Sequence, residues 1–293
     1  GKVMLPYPNI DPVMAQYWGK VMLPYPNIDP VMAQFTIGGI NFSIRWYGFF
    51  YVLSFILGYI FLWKLLKYRK VKITRDQYDG IIFSIMLGVI LGGRLGYVLF
   101  YNLPYYLRHP VEILYVWEGG MSFHGGALGV IIACLIYMRR QKIPFYSVAD
   151  CAMPMVAVGL GLGRLGNFIN GELWGKVTNL PWGMVFPDAG PLPRHPTQLY
   201  ELFFEGIVLG VLSYILLKKT KKEGLVFWSF IGLYGIFRFL IEFIRVPDDL
   251  EIYDKIGYFL GFMTIGQILS VIMIIAAAIG IWTLYRKKPE VAL

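Results

Sequence analysis

Seven stretches of this chain, at about 44–63, 79–101, 123–138, 148–170, 198–217, 225–244 and 264–285, are apolar for long enough to cross the ~30 Å hydrocarbon core of a bilayer. Hydrocarbon offers no partner to backbone N–H and C=O groups, so segments of this length must satisfy them internally as helices. The expected fold is therefore all-α: a polytopic membrane protein of seven transmembrane helices with a small extracytoplasmic loop region. Composition agrees, because 57% hydrophobic and only 15% charged residues leave too little polarity for an ordinary soluble surface. The net charge of +9 lies in short runs between apolar segments, which is a pattern of membrane orientation and argues against nucleic acid as a partner. Cys134 and Cys151 both fall within apolar segments and read as packing residues.

The segment GKVMLPYPNIDPVMAQ at residues 1–16 recurs letter for letter at 19–34. Architectural repeats diverge and need three or more copies to bury a core, so residues 1–18 read as a duplicated leader, a scar of cloning or assembly. Residues 19–43 are then an extracytoplasmic N-terminal segment. In it, Asn27-Ile28-Asp29-Pro30 has turn chemistry and precedes a short amphipathic stretch expected at the membrane interface. Residues 44–285 form the seven-helix transmembrane domain and 286–293 a cytoplasmic tail.

Lysine and arginine in short loops are retained on the cytoplasmic side. Lys64, Lys67, Arg69, Lys70, Lys72 and Arg75 follow the first span, and Arg139, Arg140 and Lys142 the third. Lys218, Lys219, Lys221 and Lys222 follow the fifth, and Arg286, Lys287 and Lys288 the seventh. The alternate loops carry only Arg108, Lys176, Arg194, Arg245 and Lys255, together with Asp188, Asp248, Asp249, Glu251 and Asp254. The N-terminus is thus expected outside and the C-terminus in the cytoplasm.

With that topology, Arg94, Arg164 and Arg238 lie in the outer halves of spans two, four and six, and Glu201 and Glu205 open span five. Glu242 follows Arg238 by four residues and shares its helical face. Six such charges at about 3 kcal/mol each would forfeit on the order of 18 kcal/mol in lipid, more than the stability of a typical fold. They are expected to converge on one polar cavity open to the outside. The cytoplasmic halves carry almost no ionisable groups, which disfavours an ion path through both leaflets.

Several motifs give this cavity chemistry. In the glycine-rich block Gly159–Gly175, Arg164 and Asn167 share a face; an arginine fork suits a phosphate and an asparagine can orient one more oxygen. The glycines themselves read as helix-packing residues. Ser122-Phe123-His124-Gly125-Gly126 places a lone imidazole at the outer boundary, either as an interface residue or as a base able to take a proton from a thiol. His109 and His195 make no metal-ligand spacing with it, so neither zinc nor another metal cofactor is expected. Gln198, Glu201 and Glu205 stack along one face after Pro196, and Tyr234, Arg238 and Glu242 supply the matching stripe on span six. Glu205 reads as a counter-charge, whereas Glu201 and Glu242 fit that role or a direct one. Tyr47, beside Trp46, fits an aromatic belt or a donor to a lipid headgroup.

The motifs GGRLGYVLFYN (92–102), GGMSFHGG (119–126), GRLGNFINGELWG (163–175), RHPTQLYE (194–201) and YGIFRFLIEFIR (234–245) resemble those of bacterial prolipoprotein diacylglyceryl transferase, in the same order and from about residue 24 to the C-terminus. The resemblance implies an enzyme of the bacterial inner membrane that needs no cofactor. Its reaction moves the diacylglyceryl group of phosphatidylglycerol to the lipobox cysteine of a prolipoprotein, with glycerol phosphate leaving. It also implies that Arg164 and Arg238 hold the phosphate, that Asn167, Glu172 and Gly175 belong to the lipid site, and that His124, Tyr47, Glu201, Tyr234 and Glu242 are functionally sensitive. The duplicated leader and a short outer loop at 171–197 depart from the family pattern, which puts precursor selection in question. A lipid transporter should show internal repeats, and an intramembrane protease a serine–histidine or paired-aspartate arrangement within the spans; the sequence has neither.

Overall fold

The computed structural model describes residues 23–101, 103–116, 123–247 and 250–286. The duplicated leader, the first residues of the GGMSFHGG motif, Asp248 and Asp249, and the tail beyond Arg286 lie outside the described residues. In chain order the elements are strands β1 (Val31–Ile37) and β2 (Ile40–Arg45), then helices α1 (Trp46–Tyr68), α2 (Arg75–Tyr101), α3 (Leu103–Arg108), α4 (Phe123–Arg140) and α5 (Phe145–Asn170). Helices α6 (Thr197–Lys219), α7 (Leu225–Glu242), α8 (Leu250–Ile256) and α9 (Ile265–Tyr285) complete the chain. The chain divides into two compact units, residues 1–61 with 150–293, and residues 62–149.

The first unit opens with a departure from the all-α expectation. β1 and β2 form an antiparallel hairpin in which Phe35 faces Phe42 with the rings stacked at 5.5 Å. Gly38 and Gly39, at φ +60° and +81°, take the two left-handed positions that a two-residue hairpin turn of this hand requires. Apolar residues alternate on either side of that turn with a period of two, which suits a strand pair and not a helix. Asp29 initiates the segment by accepting the Val31 N–H at 2.9 Å.

Within the same unit, α7 and α9 lie backbone against backbone. A methyl on Gly235 would come within 2.9 Å of the Ser270 carbonyl, and one on Gly232 within 3.0 Å of the Ala277 methyl. Small residues permit this approach where lipid supplies no hydrophobic drive between helices. α9 starts with a capping box in which Thr264 and Gln267 each accept the other's backbone N–H. α7 is capped from another helix. Asp150, wholly buried, accepts the N–H of Gly224 at 2.8 Å and of Phe227 at 2.9 Å, so one carboxylate satisfies two of the orphan donors at the helix start.

The second unit contains α2, α3, a 3₁₀ turn at Pro110–Leu114, and α4. Gly88 and Gly92 of α2 abut Gly129 and Gly125 of α4 so closely that a methyl on any of these four would strike the facing backbone. Arg94 has its own local destination here: Nε donates to the Ile113 carbonyl at 2.8 Å and Nη2 to the Glu112 carbonyl at 2.7 Å, with the rings of Tyr106 and Tyr97 beside it. Arg94, expected to mark a ligand cavity, thus has backbone partners within its own unit. Its guanidinium ties the segment after α3 to α2.

Each of the seven apolar stretches is helical. Six helices, α1, α2, α5, α6, α7 and α9, are long and apolar enough to cross a membrane, and their outward faces carry large apolar side chains such as Ile56, Leu91, Val211, Leu240 and Ile275. Contiguous exposed apolar surface of this kind is the mark of a lipid-facing protein. α4 matches the remaining predicted stretch but is not among the six; its 18 residues include His124 at one end and Arg139 and Arg140 at the other.

Replacing Asp150 by alanine strips the α7 cap and leaves two buried N–H donors without an acceptor. The expected cost is about 1–3 kcal/mol, read as a lowered midpoint of thermal unfolding in detergent. An unchanged midpoint would show that the cap is dispensable.

Candidate active site

The candidate side chains of the first unit come from three helices and the loop that joins two of them. Arg164 and Asn167 sit three residues apart near the end of α5, Glu201 and Glu205 four apart on α6, and Tyr234, Arg238 and Glu242 at spacings of four on α7. Each spacing puts its pair or triplet on one face. The faces meet on Glu201, whose Oε2 lies 2.6 Å from Arg164 Nε and whose Oε1 lies 3.2 Å from Arg238 Nη1. One carboxylate thus holds guanidinium groups from two different spans.

Around this centre the ion pairs extend. Glu242 lies 3.6 Å from Arg238 Nε and 3.7 Å from Arg245 Nη1, and Arg245 Nε lies 3.7 Å from Glu201. Thr264 donates to Glu242 at 3.2 Å, which ties the cap of α9 into the cluster. Arg245, a loop cation by its place in the sequence, follows the end of α7 and forms an isolated β-bridge with Gly175, from which its guanidinium reaches Glu242 and Glu201. Glu205 stands behind Glu201, wholly buried, with one oxygen 4.0 Å from Arg164 and the other 4.0 Å from Arg238. Removing one member of such a buried ion pair typically costs 3–5 kcal/mol, so the three acids and three arginines hold each other in place.

A second set of contacts fixes the signature block. Arg164 Nη1 donates to Asn167 at 3.4 Å, and Asn167 and Asn170 donate to Glu172 at 2.9 and 3.3 Å. Gln198 and Thr197 at the start of α6 donate to the carbonyls of Glu172 at 2.7 Å and Leu173 at 3.1 Å, locking the chain leaving α5 onto the helix that carries Glu201. Tyr25, from the N-terminal segment, is buried among Phe168, Phe186 and Met184, and its hydroxyl donates toward the last carbonyls of α5, Phe168 at 2.7 Å and Ile169 at 2.9 Å.

The glycines of the block divide by role, which the packing expectation did not foresee. Gly161 alone meets another helix backbone, at Gly206 of α6, whereas Gly159 and Gly163 have open space where a methyl would go. Gly166 makes room for the ring of Tyr47, which packs across it at the start of α1. Gly175 is the most enclosed: its N–H donates to the His195 carbonyl at 2.8 Å, its carbonyl accepts from Arg194, and a methyl would fall 2.6–2.7 Å from His195, Thr197 and Ile244. Only glycine fits there. Tyr234 is buried on α7 within the field of Glu205 and Arg238.

His124 opens α4 in the second unit, half-buried beside the Phe123 ring. Arg164 is the most accessible arginine of the cluster, with 13% of its side chain exposed against 9% for Arg238 and 5% for Arg245. Among the described residues no three His, Cys, Asp or Glu side chains are arranged to hold a metal ion. The arrangement suits an anion whose oxygens can replace Glu201 on two planar forks of donors.

At the edge of the site, Tyr200 accepts the Trp182 indole N–H at 2.7 Å and its hydroxyl shares a 2.9 Å hydrogen bond with Nδ1 of His195. Burial lowers the His195 pKa below the usual histidine value. Because the unfolded chain then binds the proton more readily, this contribution to stability is complete above the ordinary histidine range and declines as pH falls through and below it. Thermal midpoints in detergent should drop from pH 7.5 to 5, and drop less in His195→Gln. Equal slopes for the two proteins would remove His195 as the cause.

The family model described as prolipoprotein diacylglyceryl transferase matches residues 33–283. A phosphatidylglycerol–prolipoprotein diacylglyceryl transferase of Geobacter sulfurreducens is 51% identical over 236 residues, covering 80% of this chain and 88% of that protein. Proteins of the same name from Vibrio vulnificus (49% over 287 residues; 96% and 94% covered) and Photobacterium profundum (48% over 292 residues; 98% of each) match nearly end to end. The chain belongs to the prolipoprotein diacylglyceryl transferase family.

Proposed function

We propose that this protein transfers the diacylglyceryl group of phosphatidylglycerol to the lipobox cysteine thiol of prolipoproteins, forming a thioether and releasing glycerol phosphate. Its substrates are the lipid and the precursor's signal peptide, and it takes part in the first step of bacterial lipoprotein maturation. The observation that carries this reading is the meeting of Arg164 and Arg238, from separate spans, on the single carboxylate of Glu201. Two guanidinium forks directed at one point in a low-dielectric setting are suited to a phosphodiester and to the charge that grows on it when the bond to glyceryl carbon breaks.

The topology belongs to the same proposal. Residues 44–285 form the seven-helix catalytic domain, with α4 as the additional span: 18 helical residues extend about 27 Å, close to the hydrocarbon thickness. The N-terminal segment 19–43 lies outside and the 286–293 tail in the cytoplasm, following the basic loops. Arg164, Arg238, Glu201 and Glu242 then occupy the outer-leaflet half of the inner membrane, where a lipoprotein precursor presents its cysteine.

Chemically, a thiol of ordinary pKa near 8.5 must lose its proton to become the nucleophile. His124 takes that proton; the sulfur pair forms the C–S bond to the glyceryl carbon, and the C–O bond to phosphate breaks with its electrons on the departing phosphate. Arg164 and Arg238 bind that phosphate, Asn167 orients one of its oxygens, and Glu172 and Gly175 hold the signature turn on α6. Tyr47, against Gly166, donates to the headgroup. Tyr234, Glu201 and Glu242 keep Arg238 in register.

Incubation of the purified protein with phosphatidylglycerol and a lipobox peptide should add one diacylglyceryl mass to the peptide at its cysteine. His124→Gln should lower kcat by about 10²–10⁴ while leaving lipid binding near that of the parent. Full turnover by His124→Gln would overturn the base assignment, and a peptide that gains no mass with the parent protein would overturn the reaction.

A further inference from the structure

Glu205 has a role that charge balance alone does not explain. Its side chain is wholly buried, yet neither carboxylate oxygen receives a hydrogen bond, and the nearest cationic atoms, Arg164 Nε and Arg238 Nη1, both stand at 4.0 Å. Buried carboxylates ordinarily gather donors that support their charge. Here Glu201, one turn earlier on the same helix, has the close contacts to both arginines. Glu205 also lies at the middle of a π-helical turn, Leu202–Val208, the kind of local widening found most often at functional sites.

The groups around Glu205 define the electrostatic problem. They are Glu201 on α6, Arg164 on α5, Tyr234, Arg238 and Glu242 on α7, and Arg245 just beyond α7. Three guanidinium groups face three carboxylates, so the cluster is neutral, and Glu172 adds a further acid at its rim through Asn167. A phosphodiester that takes Arg164 and Arg238 must displace Glu201 from at least one fork and leaves the buried site one negative charge in excess. Two acids that share the same cations cannot both stay ionised in that state without large cost.

We propose that binding of phosphatidylglycerol is coupled to uptake of one proton by the Glu201–Glu205 pair, with Glu205 as the positioning residue that accepts it. This rests on the lipid reading of the site given above. Glu205 loses no hydrogen bond on becoming neutral. Once protonated it can donate to Glu201, replacing the donor that Glu201 gives up when the phosphate arrives. In the free protein Glu201 therefore holds the two forks aligned, and in the complex the protonated pair lets them go.

The test is calorimetric titration of the purified protein in detergent with a short-chain phosphatidylglycerol, in buffers of differing ionisation enthalpy. The expected result is uptake of about one proton per lipid bound near neutral pH, with affinity falling up to about tenfold per pH unit as pH rises, the limit for single-proton linkage. Glu205→Gln should bind the lipid with no proton uptake and a nearly flat pH dependence, a readout that a purely structural role would not alter. Should that variant fail to fold, a His124→Gln, His195→Gln double variant decides: retained uptake supports the carboxyl pair and lost uptake overturns it. Buffer-independent heats in the parent protein overturn the proposal while leaving the lipid reading intact. Failure of the parent to bind the lipid overturns both.

Discussion

The carboxylate of Glu201 is the contact on which the rest of the site depends. It is buried, it touches Arg164 at 2.6 Å and Arg238 at 3.2 Å, and these arginines project from different helices. Guanidinium groups left to themselves in so apolar a bundle would repel each other and turn toward water. Paired through one acid they face inward, at a cost in desolvation that the further pairs through Glu242 and Arg245 offset. Under the proposed function, the arrangement is a binding site held ready by its own counter-ion, which an incoming anion exchanges for its own oxygens.

The fold serves this contact by fixing helix ends. Tyr25 closes the end of α5, Gln198 and Thr197 fasten the turn after it to α6, Asp150 caps α7, and Thr264 joins the start of α9 to Glu242. Each is a polar side chain satisfying backbone or carboxylate groups that lipid would leave bare. Rigid helix termini around a charged centre suit a reaction in which a phosphate must be gripped in one orientation while a carbon a single bond away is attacked.

Much of this was legible in the residues. Hydropathy located the long helices, because a membrane core imposes one length and one secondary structure, and the i, i+4 placement of Arg238 and Glu242 put on one face two groups that the folded chain pairs. The hairpin at Val31–Arg45 carried its own signal, a Gly38-Gly39 turn between alternating apolar residues, which the amphipathic reading passed over. Arg94 looked identical to Arg164 in sequence; only the folded chain shows that nearby carbonyls of Glu112 and Ile113 satisfy it. Arg245 lies past the end of an apolar stretch and beyond α7, so spacing groups it with the loop, and only the folded chain brings it to Glu201 and Glu242. The bare oxygens of Glu205 and the π turn that carries it depend on three-dimensional packing and leave no trace in spacing.

The central claim is that Arg164 and Arg238 act together on one phosphate. Affinity for phosphatidylglycerol, measured for the parent protein, Arg164→Lys, Arg238→Lys and the double variant, addresses it directly. Each single change should weaken binding by tenfold or more, since a lysine cannot reproduce a planar fork, and the double change should cost clearly less than the product of the two, because both act on a shared anion and a shared Glu201, giving a coupling of about 0.5–3 kcal/mol. Single variants that bind as tightly as the parent, or losses that multiply as for independent sites, would contradict it.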